Sequence, residues 1–596
     1  MDTPNSSLKS HAPKSSLSSS SDTPMLRQQG DSTLLICRNK HWKYISAYNG
    51  AWLSITTRQL DLLGSLNFNS PLPRHVEPAL LFDVIKIRKL IDDATELAIK
   101  AASGFGPSPT ASSTGFGEKL SKARILKMRQ QATQKLSRAY KIDEIASSVS
   151  IMQSSSILED VAKDVLKREP SDLDARYVHF FHEKIPSRNL VDSTTIESLT
   201  DIIAESPREP ALLRTRAVVR AFKMDLSGAI QDITDALAMC RFQSSQHTGA
   251  SKATDLPQNP KLFGDRPIRE EEQPSSLEGQ LYFHRASYNL NLACQNLVGS
   301  LPKHSDSNNN DIADHESRFE EPRKLVKTYA KRAIRDFLSL FSFLDYSPQW
   351  PPQYSSQMAL RADAIINNTR YRGSEPATPP IPPTIYPVSK LFEAVAPGDL
   401  PPLDSNPLTE MLTFHPLLIE SLHCFLIAHA LAQTSAKEIS RHALMVARLV
   451  RLDNGYPIFQ SIKPAALGTW IEILNLTDNW IQLDQSWDAL CMFSVGRDVS
   501  QHLHRNGRPI TQELGGAVPE PPTSSAGRAS GGVSTKLLRR WSGDERSNPS
   551  SGMDRAYWVS RWIREVPMVS GTAKRKKRAK KTSSDGREVD TSGKES

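Results

Sequence analysis

The sequence predicts an all-α protein, a solenoid of stacked helical hairpins interrupted by disordered insertions and tails. Apolar residues recur at i, i+3, i+4 and i+7 along most of the chain, which is the stripe a helix turns toward a core. Segments rich in Pro, Gly and Ser break that pattern at intervals, and the helix pairs between breaks carry small residues at regular spacing. The 596 residues are 38% hydrophobic and include 40 prolines, so a substantial part of the chain belongs outside any core.

Residues 1–32 are Ser-rich and lack the apolar stretch of a secretory signal, so the reading is a disordered N-terminus and no export by that route. Aromatic and β-branched residues from 33 to 60 cluster around Asn49-Gly50, which predicts a small β-hairpin. After Pro78, the spacing of Val84, Ile87, Leu90, Ile91, Ala94, Leu97 and Ala98 predicts an amphipathic helix that completes a segment over 33–100. A linker follows at 101–117. Helical repeats are expected over 118–372, with disordered insertions at 244–274 and 299–322. Ten prolines make 373–407 a polyproline II spacer, whose P-x-x-P steps would also suit an SH3 or WW domain. A C-terminal helical block at 408–505 precedes a mostly disordered tail, 506–596, holding an amphipathic helix at 553–566 and a basic run at 574–581.

In Ala211 to Met239 two helical patterns meet at KMDLSG, with small residues at Ala217, Ala229 and Ala236. This spacing resembles the tetratricopeptide hairpin, in which two antiparallel helices approach too closely for larger side chains. Leu213 stands where that motif favours Trp, and Arg241 where it favours Pro. Leu277–Leu297 and Val326–Leu344 form a second such pair, with Ala286, Ala333 and Phe337 in the fitting places, and Pro416–Gln433 with Ala436–Leu452 a further one. An irregular helical bundle that reuses small residues for packing is the alternative.

The chain as a whole resembles an uncharacterised filamentous-fungal family sometimes labelled a histidine kinase group. CRNKHWKYIS, ATQKLSRAYKIDEIASSV, DARYVHFFHEKIPSR, LLRTRAV, EGQLYFHRASYNL and WVSRWIREVP carry the resemblance. Phosphotransfer from a histidine needs a Gly-rich nucleotide cradle, and no D-x-G-x-G stands in the sequence. His182-Glu183-Lys184-Ile185-Pro186 brings its proline one position too early for the phosphoacceptor motif. His179 and His182 are spaced i, i+3 without the H-E-x-x-H of a zinc protease, and G-x-S-x-G, P-loop and G-x-G-x-x-G motifs are absent from the sequence. No catalytic residue, metal ligand or cofactor is therefore assigned. An enzyme of unrecognised type remains the third reading.

The formal charge of +9 concentrates in KRKKRAKK: removing its seven basic charges leaves +2 on the rest of the chain. Lys574, Arg575, Lys576, Lys577, Arg578, Lys580 and Lys581 match a nuclear import signal for an importin-type receptor, and would also bind phosphates. The expected compartment is the nucleus or the cytoplasm, the basic run favouring the nucleus. Five cysteines without C-x-x-C spacing fit a reducing compartment. The apolar stretch His415–Gln433 contains three histidines and Glu420, so it reads as a buried helix, with no membrane partner. The leading function is a non-enzymatic scaffold binding a protein partner in a concave groove, with Arg214, Arg220, Tyr282, Arg285 and Asn289 as groove residues by period. A nucleic-acid-associated nuclear factor using the basic tail is the alternative. Tyr557, Trp558 and Trp562 form an aromatic stripe in the tail that either docks on the body or enters a partner's groove.

Overall fold

A computed structural model describes residues 48–492 and 550–566, apart from 49, 106–118, 153–155, 159, 185–194, 248–267, 271–272, 303–311, 371–383, 404–408, 454–457 and 460–463. The fold is all-α, with seventeen α-helices among the described residues. The first three open on side-chain caps: α1 (Thr57–Asn69) on the Thr56/Gln59 capping box, α2 (Pro78–Ser103) on Glu77 with Pro78 in its first turn, and α3 (Lys122–Ile142) on Ser121. Gly104, at φ 70°, ends α2 in the left-handed conformation that glycine adopts without strain. Next come α4 (Glu144–Met152), α5 (Val161–Leu166), α6 (Leu173–Lys184) and α7 (Glu197–Glu205).

Two long hairpins follow. α8 (Pro210–Phe222) packs on α9 (Leu226–His247), and α10 (Leu277–Ser300) on α11 (Ile312–Phe341), while α9 packs on α10. Ala217, Ala229, Ala236, Ala286 and Ala333 are all fully buried, as close approach of the paired helices requires. α11 begins earlier than the sequence suggested and carries Pro322 inside it, so only 303–311 of the expected insertion lies outside the described residues. α12 (Pro352–Ile366) returns to pack on α1.

α13 (Leu418–Leu431) is the central helix of the C-terminal part: every residue but Glu420 is buried. It touches α10, α11, α14 (Ala436–Leu452) and α15 (Ala465–Leu476), while α16 (Trp487–Cys491) packs on α14. No helix among the described residues is long and apolar enough to cross a membrane. The last helix, α17 (Ser550–Glu565), lies on α15, α10 and α13. One apolar core runs from Tyr48 to Val566, joined by a small cluster of Trp350, Tyr354, Met358 and Met411.

Two expectations change. Residues 51–53 form a 3-10 turn and 57–69 the helix α1, so the latter half of the expected N-terminal hairpin is helical; residues 33–47 lie outside the described ones. Trp52 and Leu60 are buried in the helical core, which accounts for the aromatic and apolar density that resembled a strand. The described part of the Pro-rich spacer is likewise folded. β1 (Asp345–Ser347) pairs antiparallel with β2 (Tyr386–Pro387) and β3 (Met411–Leu412), and the 3-10 turn 388–392 buries Val388, Leu391 and Phe392. Three apolar anchors between the proline clusters make that segment part of the core.

Candidate functional site

The densest gathering of polar groups surrounds Arg214, which is fully buried. α3 and α4 meet at a helix break at Asp143 that would leave carbonyls of α3 and amides of α4 without partners. Asp143 Oδ1 accepts from the amides of Ile145 and Ala146 at 2.8 and 2.9 Å and caps α4. Arg214, from α8, supplies the other end. Its Nη2 donates to Tyr140 O at 3.0 Å and Lys141 O at 3.4 Å, its Nη1 to Ile142 O at 3.0 Å and Gln280 Oε1 at 2.6 Å, and its Nε to Glu144 Oε1 at 3.0 Å. One guanidinium therefore closes one helix and pairs with the first residue of the next, which suits the planar fork of Arg. Thr215 Oγ1 donates to Glu144 at 3.3 Å and lies 2.8 Å from Tyr177 Oη.

Burial pushes the carboxyls of Asp143 and Glu144 up, and Arg214 opposes it. Nearby Glu77 is pushed up to about 7 and Asp83 to about 6, burial being the main cause in both. Asp83 accepts from Ser276 N at 2.9 Å and Ser276 Oγ at 2.7 Å, tying α2 to the start of α10. These groups are engaged by helix ends and ion pairs. The cluster is a joint between six helices, α2, α3, α4, α6, α8 and α10.

The five predicted groove residues do not form a groove. Arg214 is corrected to the interior, and Asn289 is buried with its amide donating to Arg285 O at 2.9 Å. Tyr282 is buried and its hydroxyl accepts from Arg241 at 2.8 Å. Arg220 pairs with Asp232 at 3.2 Å inside the α8–α9 hairpin, and Arg285 grips Asp336 in the α10–α11 hairpin through two bonds of 2.9 and 2.7 Å. Helical period places a residue on a face but does not say which neighbour covers that face.

A second pairing went unread in the sequence. Arg216 Nε and Nη2 donate to Asp232 at 3.0 and 2.7 Å, the same two-pronged contact that Arg285 makes with Asp336. Both arginines immediately precede the small residue of a first helix, Ala217 or Ala286, and both aspartates stand three residues after the small residue of a second, Ala229 or Ala333. The signal was an Arg-Ala pair in one helix matched by Ala-x-x-Asp in the next. Two consecutive hairpins thus repeat one clamp.

The tail helix α17 lies in a seat made by α10, α13 and α15. Ala556, Val559, Trp562 and Val566 are buried, stepping by three, three and four residues along one face. Of the predicted aromatic stripe only Trp562 is fully buried; Trp558 is half-buried and Tyr557 is 45% exposed. Tyr557 lies five residues before Trp562 and so about 140° around the helix. Arg561 sits 5.9 Å from the Tyr557 ring and 5.3 Å from that of Trp558, pairs with Glu565 at 2.7 Å, and donates to Pro302 O at 2.9 Å. Arg555 donates to Asn291 Oδ1 at 2.6 Å, and Arg564 lies 3.5 Å from Asp478. At the C-terminal end, Gln433 Nε2 donates to Val566 O at 3.1 Å. Gln433 (φ 56°) and Asp478 (φ 51°) both sit in left-handed turns that aim them at the helix.

Elsewhere, buried histidines line α13 and α14. His429 and His442 lie with ring centroids 4.5 Å apart, His429 Nδ1 is 2.9 Å from Thr434 Oγ1, and burial holds the pair down to about 3 and 4. No group of three metal-ligating side chains gathers among the described residues. An open depression of about 470 Å³ is lined by Pro348, Trp350, Pro351, Asp399, Pro401 and Thr409, and Asp399 accepts from Tyr386 Oη at 3.0 Å. Lys574–Lys581 lie outside the described residues. Comparison with family models, curated proteins and solved structures finds no match to this chain.

Proposed function

We propose that the chain is a helical-repeat scaffold or adaptor that binds other proteins and performs no reaction of its own. The observation that carries this reading is the seat of α17: three helices of the body receive an amphipathic helix along an apolar stripe, the geometry of helix-in-groove recognition. The repeated Arg–Asp clamp supports a stacked, tetratricopeptide-like arrangement of the middle hairpins. The titratable groups at Arg214 are engaged in joining helices, which favours binding over catalysis. We also propose membership of the family resembled above, because its shared segments supply Tyr140, Glu144, Tyr177, Arg214 and Trp562, the residues of the joint and the tail seat. Affinity purification with the full chain tests the scaffold reading. Protein partners that survive raised salt are expected, and recovery of nucleic acid alone contradicts it.

The basic run favours a second reading, in which the tail directs the chain to the nucleus through an importin-type receptor or adds affinity for nucleic acid. Deletion of 574–581 separates these. Loss of nuclear enrichment with protein partners retained identifies an address, whereas loss of salt-sensitive nucleic-acid binding identifies a phosphate-binding segment.

A further inference from the structure

We propose that the seat of α17 is an exchangeable helix-binding groove, closed by the chain's own tail and opened by an amphipathic helix from a partner protein. The inference rests on the scaffold reading and names its surface and ligand.

Receptor and occupant differ in how they join the molecule. α10, α13 and α15 pack on one another or on the helices beside them within the continuous core. α17 reaches that core only after residues 493–549, a stretch of 57 residues outside the described ones. Joined to the body through 57 residues of chain, α17 meets its seat intramolecularly at a finite effective concentration, against which a partner helix competes.

The seat defines what it would accept. The inward stripe asks for a small residue at the place of Ala556, a β-branched one at Val559, an indole or other large apolar group at Trp562 and an apolar residue at Val566. Its margins ask for basic side chains: Asn291 Oδ1 receives Arg555, Pro302 O receives Arg561, and Asp478 faces Arg564. Gln433 Nε2 donates to the carbonyl at the helix's C-terminal end, Val566 O. The ligand is thus an amphipathic helix with arginine or lysine flanking a Val/Trp stripe. The resident helix leaves one polar atom of the seat unused, since Gln433 Oε1 is buried with no partner among the described residues. A ligand that offered a donor to it would avoid the cost of leaving it unpaired.

The test uses the full chain and a fluorescent peptide of residues 550–567, followed by anisotropy. The V559D/W562A chain, with its own tail released, should take up the peptide at least about tenfold more tightly than the unaltered chain. A peptide carrying Trp562→Ala should not bind either chain. Equal binding to both chains overturns the proposal, as does a V559D/W562A chain that loses more helix by circular dichroism than α17 contains. A second form of the full chain carries a protease site within 493–549. After cleavage the tail fragment should be displaced by excess peptide, and a fragment that stays in place contradicts exchange. Failure here removes the groove alone, while affinity purification of the full chain still tests the scaffold reading by itself.

Discussion

The joint at Arg214 and the seat of α17 are both places where helices meet, yet one is locked by charge and the other closed mainly by apolar contact. Arg214 satisfies three carbonyls of α3, Glu144 and Gln280 from inside the core. Nothing could occupy that position without dismantling the joint. α17 contributes an apolar stripe, a few arginine contacts near the surface and one unpaired polar atom, and is connected by a long stretch of chain. A polar cluster with perturbed carboxyls is often read as an active site. In this protein it is the fixed part, and the exchangeable part is the less polar one.

Removing Arg214 gives the sharpest contrast. Arg214→Met removes the buried ion pair of Glu144 and the guanidinium contacts to the end of α3, and should lower global stability by about 3–5 kcal/mol, the usual cost of breaking a buried ion pair from one side. Urea unfolding of the full chain measures it, and a loss below about 1 kcal/mol would show the joint to be incidental. Trp562→Ala comes next. Truncating a buried Trp costs about 3–5 kcal/mol where the site belongs to the cooperative core. Here the expected result is local, with α17 released and the unfolding midpoint of the body nearly unchanged. A cooperative loss through the whole body would erase the difference between the two places.

Acidity should separate the regions with opposite signs. Glu77 and Asp83, beside the joint, are pushed up to about 7 and 6, mainly by burial. Their stabilising contribution is complete below the ordinary carboxylate range, near 4, and is lost as pH rises through those values. His423 and His429 on α13 and His442 on α14 are held down to about 4, 3 and 4, again mainly by burial. An unfolded histidine protonates near 6.5, so their contribution is present above that pH and is lost as pH falls toward 4. Hydrogen exchange at a series of pH values should therefore show α13 and α14 loosening as pH falls toward 4, and α2 loosening as it rises toward 7. Uniform loosening in either direction would contradict the assignment. The smallest effect belongs to Tyr557→Ala on the outer face of α17, which should change stability by no more than about 0.5 kcal/mol in thermal unfolding.

The helical class was legible because period and small-residue spacing report directly on which faces are buried. Ala217, Ala229 and Ala286 needed no knowledge of their neighbours. The groove residues were not legible for the opposite reason: whether Arg214 faces solvent or α4 depends on a contact seventy residues away in the chain. The N-terminal hairpin failed on composition, since Trp52 and Leu60 serve a helical core as well as they would a strand. The folded part of the Pro-rich segment was hidden because three anchors, Val388, Leu391 and Phe392, are outnumbered by prolines. The tail helix was legible as an amphipathic helix but not what it docks on, and of its aromatic stripe Trp562 turns to the body while Tyr557 turns away.

Native-state hydrogen exchange on the full chain tests the difference between the two places most directly. Amides of residues 556–566 should exchange through a local opening that leaves α8, α10 and α13 protected, and those of α8 around Arg214 only when the whole body unfolds. Equal protection of α17 and α8 would contradict the account, because a helix that opens only with the core cannot give up its seat to a partner.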